Sequence, residues 1–210
     1  MPARLRPTAP IAAEAILVGD PGRALMLAQE LLEQPKMSNH ARGLWGYTGV
    51  TASGDELTIQ STGMGGPSAA VVVADLAELG VKRAIRVGTC ASLGNLELGD
   101  LLVVAEANGQ RPDHDLTEAL AAALPGAHRG PAVSLDTLYR PERDMPSVLA
   151  EVADMQTAGL LASAAEHGVA AAALLIVSEK SSSGQLRDEE MEEAAKRAGA
   201  AATGLLSTSG

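Results

Sequence analysis

Phenylalanine is absent from this 210-residue chain, which carries one tryptophan and two tyrosines. Without large rings, a core must be assembled from small aliphatic side chains in close contact, and platforms on which nucleic-acid bases stack are scarce. Cysteine is nearly absent too: the lone Cys90 excludes an internal disulfide framework and any Cys-rich zinc site. Basic runs are missing, and the formal net charge is −10. A nucleic-acid backbone or an anionic membrane surface is therefore not an expected partner, although small anions are, wherever arginines converge. No apolar run has the length to span a bilayer, and the N-terminus lacks a signal-peptide core, so a cytoplasmic protein is expected. The four histidines, His40, His114, His128 and His167, have no metal-ligand spacing, and no metal is expected.

What the chain does contain is alanine, valine and leucine in quantity, in a hydrophobic share of 46%. Its length suits a single domain across residues 1–210. The most informative stretch runs from Glu56 to Thr89. Glu56 to Thr62 alternates Leu57, Ile59 and Ser61 against Thr58, Gln60 and Thr62, as a β-strand does. The turn Thr62-Gly63-Met64-Gly65-Gly66-Pro67-Ser68 follows, with Pro67 suited to a first helical position. An Ala/Val-rich helix to Leu79 and a strand from Ala84 to Val87 complete a β-α-β unit. Such units place ligands at the carboxyl ends of their strands, where Met64 and Arg86 to Thr89 fall.

A second strand-to-helix turn, Gly19-Asp20-Pro21-Gly22-Arg23, follows the short apolar strand Ala15 to Val18. Asp20 suits the cap and Pro21 the first helical turn; the exposed N–H groups there favour anions. Arg23 opposes the dipole preference at that position, so it is either a solvated surface residue or an anion ligand. Trp45 to Thr51 and Glu56 to Thr62 read as a hairpin, and Cys90-Ala91-Ser92-Leu93-Gly94 as a loop of small residues. Leu116 to Leu124 and Met155 to His167 have helical composition, with Ala132 to Leu135 and Ala171 to Val177 as strands. The last helix is expected from Asp188 to Ala198, closed by Gly199. Alternating strands and helices without a repeat imply an α/β fold, one domain with a mixed central β-sheet flanked by helices.

Four motifs in register, Gly19-Asp20-Pro21-Gly22-Arg23, Arg42-Gly43 with Gly46-Tyr47-Thr48-Gly49, Thr62 to Ser68, and Arg86-Val87-Gly88-Thr89, resemble the nucleoside phosphorylase-I family, with its hexameric purine nucleoside phosphorylases and uridine phosphorylases. The resemblance implies a pentosyltransferase: inorganic phosphate, a co-substrate with no further cofactor, cleaves a nucleoside to free base and ribose 1-phosphate. It implies phosphate binding by Gly19, Arg23, Arg86 and Thr89, with Arg42 reaching the site of a neighbouring subunit. A homo-oligomer, a trimer of dimers, follows from that. Guanidinium forks match phosphate oxygens bidentately, whereas an Arg86 paired to a carboxylate is the alternative reading of a strand-end arginine. Met64 stands where the family packs a residue on the ribose.

The second half departs from the family pattern. Asp154-Met155-Gln156 occupies the place of Glu-Met-Glu, whose last glutamate holds the ribose hydroxyls; Gln156 keeps hydrogen-bonding capacity but lacks the charge. Ser178-Glu179 stands where the purine enzymes have Ser-Asp, the acid that protonates the leaving base. Glu179 is thus either that acid or a solvated residue paired with Lys180. The segment between Ala105 and Asp154 is shorter than the family's, and Tyr139 is the candidate to replace an aromatic beside the base. Purine and uridine substrates both stay open, as do a phosphate-independent nucleosidase and a catalytically impaired nucleoside- or phosphate-binding homologue. The two intact phosphate-type arginines weigh against the nucleosidase.

Overall fold

The computed structural model describes residues 4–137 and 150–207. Strand β1 (Glu14–Val18) leads into helix α1 (Pro21–Leu31) through a cap in which the Asp20 carboxylate accepts the Arg23 N–H at 2.7 Å. Strands β2 (Glu33–Asn39), β3 (Gly46–Val50) and β4 (Glu56–Ser61) form an antiparallel meander. Helix α2 (Gly66–Glu78) and strand β5 (Arg83–Ser92) complete the expected β-α-β unit. Its two strands are not neighbours, because β1 lies between them and pairs in parallel with both. Strand β6 (Leu101–Ala107), helix α3 (His114–Ala123), strands β7 (His128–Ser134) and β8 (Val152–Asp154), helix α4 (Thr157–His167), strands β9 (Ala170–Lys180) and β10 (Gly184–Gln185), and helix α5 (Asp188–Leu206) follow.

The sheet is mixed, in the order β10-β9-β6-β7-β8-β5-β1-β4-β3-β2, with β9 also paired to β5. Strands β5, β9, β6, β7 and β8 therefore close a circuit, and β1, β4, β3 and β2 extend from it as an open sheet. Alternation along the strands sorts the core onto two faces. Ile16, Val18, Ile85 and Val87 pack toward α1, α3 and α5, whereas Ala15, Leu17 and Ala84 pack toward α2 and α4. Arg86 shares the parity of Ala84, so its side chain belongs to the α2/α4 side, at the end of an otherwise apolar face. The expected α/β architecture is the observed one. Among the described residues no helix is long and apolar enough to cross a membrane.

Several boundaries differ from the sequence reading, each for a tertiary reason. Cys90-Ala91-Ser92 is strand, not loop, because β8 and β9 both pair with it. Strand β2 carries Pro35 at an outer edge of the sheet, where a missing N–H is tolerated. Ser178 to Lys180 extends β9 because Gly184 and Gln185 pair with it. The three residues Val152–Asp154, unassigned from sequence, are the buried strand β8. Gly199 does not end the last helix. It lies within α5, where an added Cβ would come within 2.9 Å of Leu27 Cδ2 and 3.0 Å of Leu31 Cδ1, so the glycine permits α5 to sit against α1.

The helices of the other layer meet more closely still. A Cβ on Gly159 of α4 would stand 2.9 Å from both the Cα and the carbonyl oxygen of Gly66 in α2. An exposed helical Gly→Ala change ordinarily stabilises a protein by up to about 1 kcal/mol. Here the obstacle is backbone, so Gly159→Ala is expected to cost roughly 1–3 kcal/mol instead, read as a lowered urea midpoint at unchanged slope.

Candidate active site

The carboxyl ends of β1, β4, β5 and β9 open into one cavity of about 520 Å³. A larger cleft of about 750 Å³ beside α5 is lined by leucines and small residues with Asp100, Glu190, Glu193 and Arg197, three acids against one arginine. Chemistry, not size, identifies the first as the candidate site. Its floor is Gly19, where β1 turns into α1; an added Cβ there would lie 3.4 Å from the Gln156 Oε1 and 3.5 Å from the Gly63 carbonyl oxygen. The glycine loop forms one wall, with Gly63 and Gly65 at φ of 72° and 82°. Glycine adopts such positive-φ conformations without the steric cost a side chain would bring. Met64 projects between them, 85% exposed at the mouth.

Arg23 enters the cavity from the first turn of α1. Its guanidinium has no hydrogen-bond or ion-pair partner among the described residues. Burial pushes its pKa down, the charge of Asp20 counteracts that, and nearby Arg86 adds to it. Even a lowered guanidinium remains charged at neutral pH. An unpaired cation thus sits beside a helix N-terminus, which is the electrostatic arrangement an anion requires. The carboxylate of Asp20 also lines the cavity and limits the positive field.

Arg86 is placed differently from Arg23. It is 3% exposed, and each of its nitrogens is engaged inside the protein. Nη2 donates to Asp154 Oδ2 at 2.9 Å, Nη1 to Gln156 Oε1 at 2.9 Å, and Nε to Thr157 Oγ1 at 3.1 Å. The carboxylate-paired arrangement weighed from sequence is the one adopted. Its guanidinium lies over Gly88, where an added Cβ would meet Cζ and Nη2 at 2.5 Å, so only glycine allows the stack. Arg86 still lines the rear of the cavity.

Asp154 lies behind the cavity wall and does not line it. It is 1% exposed and accepts from Arg86, from the Thr157 N–H at 3.0 Å, from Thr157 Oγ1 at 2.6 Å and from the Ser134 hydroxyl. Met155 and Gln156 do line the cavity, and Thr89 faces it from β5. Glu179 reaches it from the far side, and its carboxylate has no side-chain partner among the described residues. Lys180 is engaged by Glu97 instead, so the Glu179–Lys180 pairing weighed from sequence does not form. Arg42 is not part of the cavity. It stands exposed on a short 3-10 turn at Ala41–Gly43, at φ of 60°, without a partner among the described residues. Tyr139 falls outside the described residues.

Sequence reasoning missed the roles of Ser134 and Thr157 around Asp154. A signal was present in Asp154-Met155-Gln156-Thr157, an acid three residues before a hydroxyl at a helix start, but its partner Ser134 is 20 residues distant in sequence. Burial also pushes up the pKa of Cys90, with Asp154 adding to the effect and Arg86 opposing it, so this thiol is inert.

Comparison with known proteins bears on this geometry. The profile of the phosphorylase superfamily matches residues 14–209. The chain is 33% identical, over 76% of its length and 78% of the relative's, to a purine nucleoside phosphorylase DeoD-type of Bacillus cereus. It is 34% identical, over 72% of its length and 75% of the relative's, to a purine nucleoside phosphorylase DeoD-type 1 of Shewanella oneidensis. Among solved structures, the purine nucleoside phosphorylase of Toxoplasma gondii in complex with immucillin-H superposes with a TM-score of 0.82 at 24% identity, over 94% of this chain and 92% of that one. That likeness concerns the fold.

Removing Arg86 leaves the buried Asp154 side chain without its ion-pair partner. Arg86→Met is expected to lose roughly 3–5 kcal/mol of stability in chemical denaturation, and adding Asp154→Leu to recover a substantial part of it.

Proposed function

This chain belongs to the phosphorylase superfamily, and we propose that it is a purine nucleoside phosphorylase, a pentosyltransferase that uses inorganic phosphate and no other cofactor. The observation that carries the reading is the unpaired, desolvated Arg23 at the α1 N-terminus, facing the free carboxyl of Glu179 across one cavity. Phosphate sits against Gly19, Arg23 and Thr89, with Arg86 closing the rear of the anion site. The nucleoside lies between Met64 and Met155, its base toward Glu179. A phosphate oxygen attacks C1′, a C1′–O bond forms, and the C1′–N9 bond breaks with its electron pair on the purine. Glu179 in its acid form gives a proton to N7, so the base leaves neutral and ribose 1-phosphate remains. The purine assignment draws support from the names of the relatives matched over three quarters of the chain.

Arg42 supports a shared site. An arginine held exposed, unpaired and in a left-handed conformation serves its own subunit poorly, and fits a role in a neighbouring one. We read the protein as a cytoplasmic homo-oligomer, a trimer of dimers, in which Arg42 completes the partner's phosphate site; a monomer by light scattering would remove that role.

The activity is tested by release of free base from inosine, adenosine, guanosine and uridine, with and without phosphate. Phosphate-dependent release from the purine nucleosides is expected. Release from uridine alone would transfer the site to pyrimidines, and release without phosphate would make it a hydrolase. Within the active protein, Arg23→Ala is expected to raise the KM for phosphate roughly 10- to 100-fold by deleting charge-assisted hydrogen bonds. The melting temperature should hold or rise, because an unpaired, half-buried charge is removed.

A further inference from the structure

The side chain of Gln156 is engaged on all sides by the protein itself. Its amide oxygen accepts from Thr62 Oγ1 at 3.1 Å and from Arg86 Nη1 at 2.9 Å. Its amide nitrogen donates to the Gly63 carbonyl at 2.6 Å and to the Gly65 carbonyl at 3.4 Å. Both N–H groups face loop carbonyls, and Arg86 fills one acceptor position; the Thr62 hydroxyl lies against the other but shares its single proton with the Val18 carbonyl at 3.0 Å. The orientation of the amide is unambiguous, since Arg86 can only donate and the two carbonyls can only accept. The residue is 4% exposed. Little hydrogen-bonding capacity on it remains for a sugar hydroxyl.

We propose that Gln156 is a positioning residue, which fixes the glycine loop against Arg86 and takes no part in holding the sugar. The loop needs such a tie. Gly63 and Gly65 both have positive φ, and glycine retains the greatest backbone freedom of any residue when unrestrained. Gln156 spans the gap from the end of β4, through the loop carbonyls, to the guanidinium on β5.

The choice of amide over carboxylate follows from the same contacts. A glutamate at this position has no donor for the Gly63 and Gly65 carbonyls, and would oppose oxygen to oxygen at both. It would also add a second negative charge to a buried network in which Asp154 already balances Arg86 at 2.9 Å. A glutamine keeps that network neutral and keeps both carbonyls bonded.

Gln156→Glu separates the two roles because they predict opposite signs. As a positioning residue, its loss frees the loop. Phosphate affinity by titration calorimetry should fall by at least about tenfold, the order expected when a site residue shifts by a fraction of an ångström. Amide hydrogen exchange across residues 63–65 should accelerate, and the KM for nucleoside should not improve. If Gln156 instead serves the sugar, the added charge lowers the KM for nucleoside while phosphate affinity and loop exchange stay as they were, and the proposal is overturned. Thr62→Val removes the hydroxyl that lies between Oε1 and the Val18 carbonyl without altering charge. It should weaken phosphate binding and speed exchange in the same direction, less strongly, and it decides the matter if Gln156→Glu does not fold. Unchanged loop exchange in a folded Thr62→Val would count against the tie. The kinetic arm and the phosphate titration rest on the phosphorylase reading; the exchange measurement does not. A wild-type protein that releases no base and binds no phosphate therefore leaves the exchange readout intact.

Discussion

The ion pair between Arg86 and Asp154 is the constraint on which the rest of this site depends. Both residues are buried, at 3% and 1% exposure, on the face of the sheet that otherwise packs alanine, valine and leucine. Desolvating two charges costs several kcal/mol each, which their mutual attraction offsets only when the remaining polar atoms are bonded as well. Here they are. Thr157, Gln156 and Ser134 complete the shell, and in doing so they join β5, β7, the start of α4 and the glycine loop into one polar knot. A sheet end that might have been filled with hydrocarbon is instead held by directional bonds, each with a defined geometry.

That knot is reachable only because the layers around it pack so closely. A chain without phenylalanine cannot separate its helices with rings. Helices α2 and α4 approach until Gly66 and Gly159 meet backbone to backbone. Both helices begin at the site, α2 just after the glycine loop and α4 just after Gln156. Their contact therefore sets the distance between Gln156 and the carbonyls of Gly63 and Gly65. Composition, packing and site geometry form one causal sequence, from the scarcity of aromatics to the length of a hydrogen bond.

Much of the fold was legible because it is written in local chemistry. Asp20 with Pro21, and Pro67 after paired glycines, mark helix starts through capping and fixed φ, and the alternation of Glu56 to Thr62 marks a strand. What escaped the sequence was set by partners distant along the chain. Cys90 to Ser92 is strand only because β8 and β9 pair with it, and β8 is too short to carry a periodicity. Gly199 was read as a helix stop because glycine there usually is one, whereas Leu27 and Leu31 across the interface make it a packing residue. The site divides along the same line. Gly19, Arg23, Met64, Thr89 and Glu179 were found from motifs and do line one cavity. The internal engagement of Arg86, Asp154 and Gln156 had no sequence signature, since nothing in a motif says whether a side chain faces a ligand or its own neighbours.

Two arginines of the same cavity thus hold opposite electrostatic positions. Arg86 is neutralised in place by a carboxylate that never reaches solvent, so it contributes shape and hydrogen-bond direction more than net charge. Arg23 is partly desolvated and has no side-chain partner among the described residues, while the nearby Asp20 carboxylate accepts its backbone N–H. In a chain of net charge −10, this leaves one concentrated positive point at a helix N-terminus. A partly desolvated guanidinium at that place favours an anionic ligand over a neutral one. The nearby Asp20 carboxylate opposes that field and keeps it local.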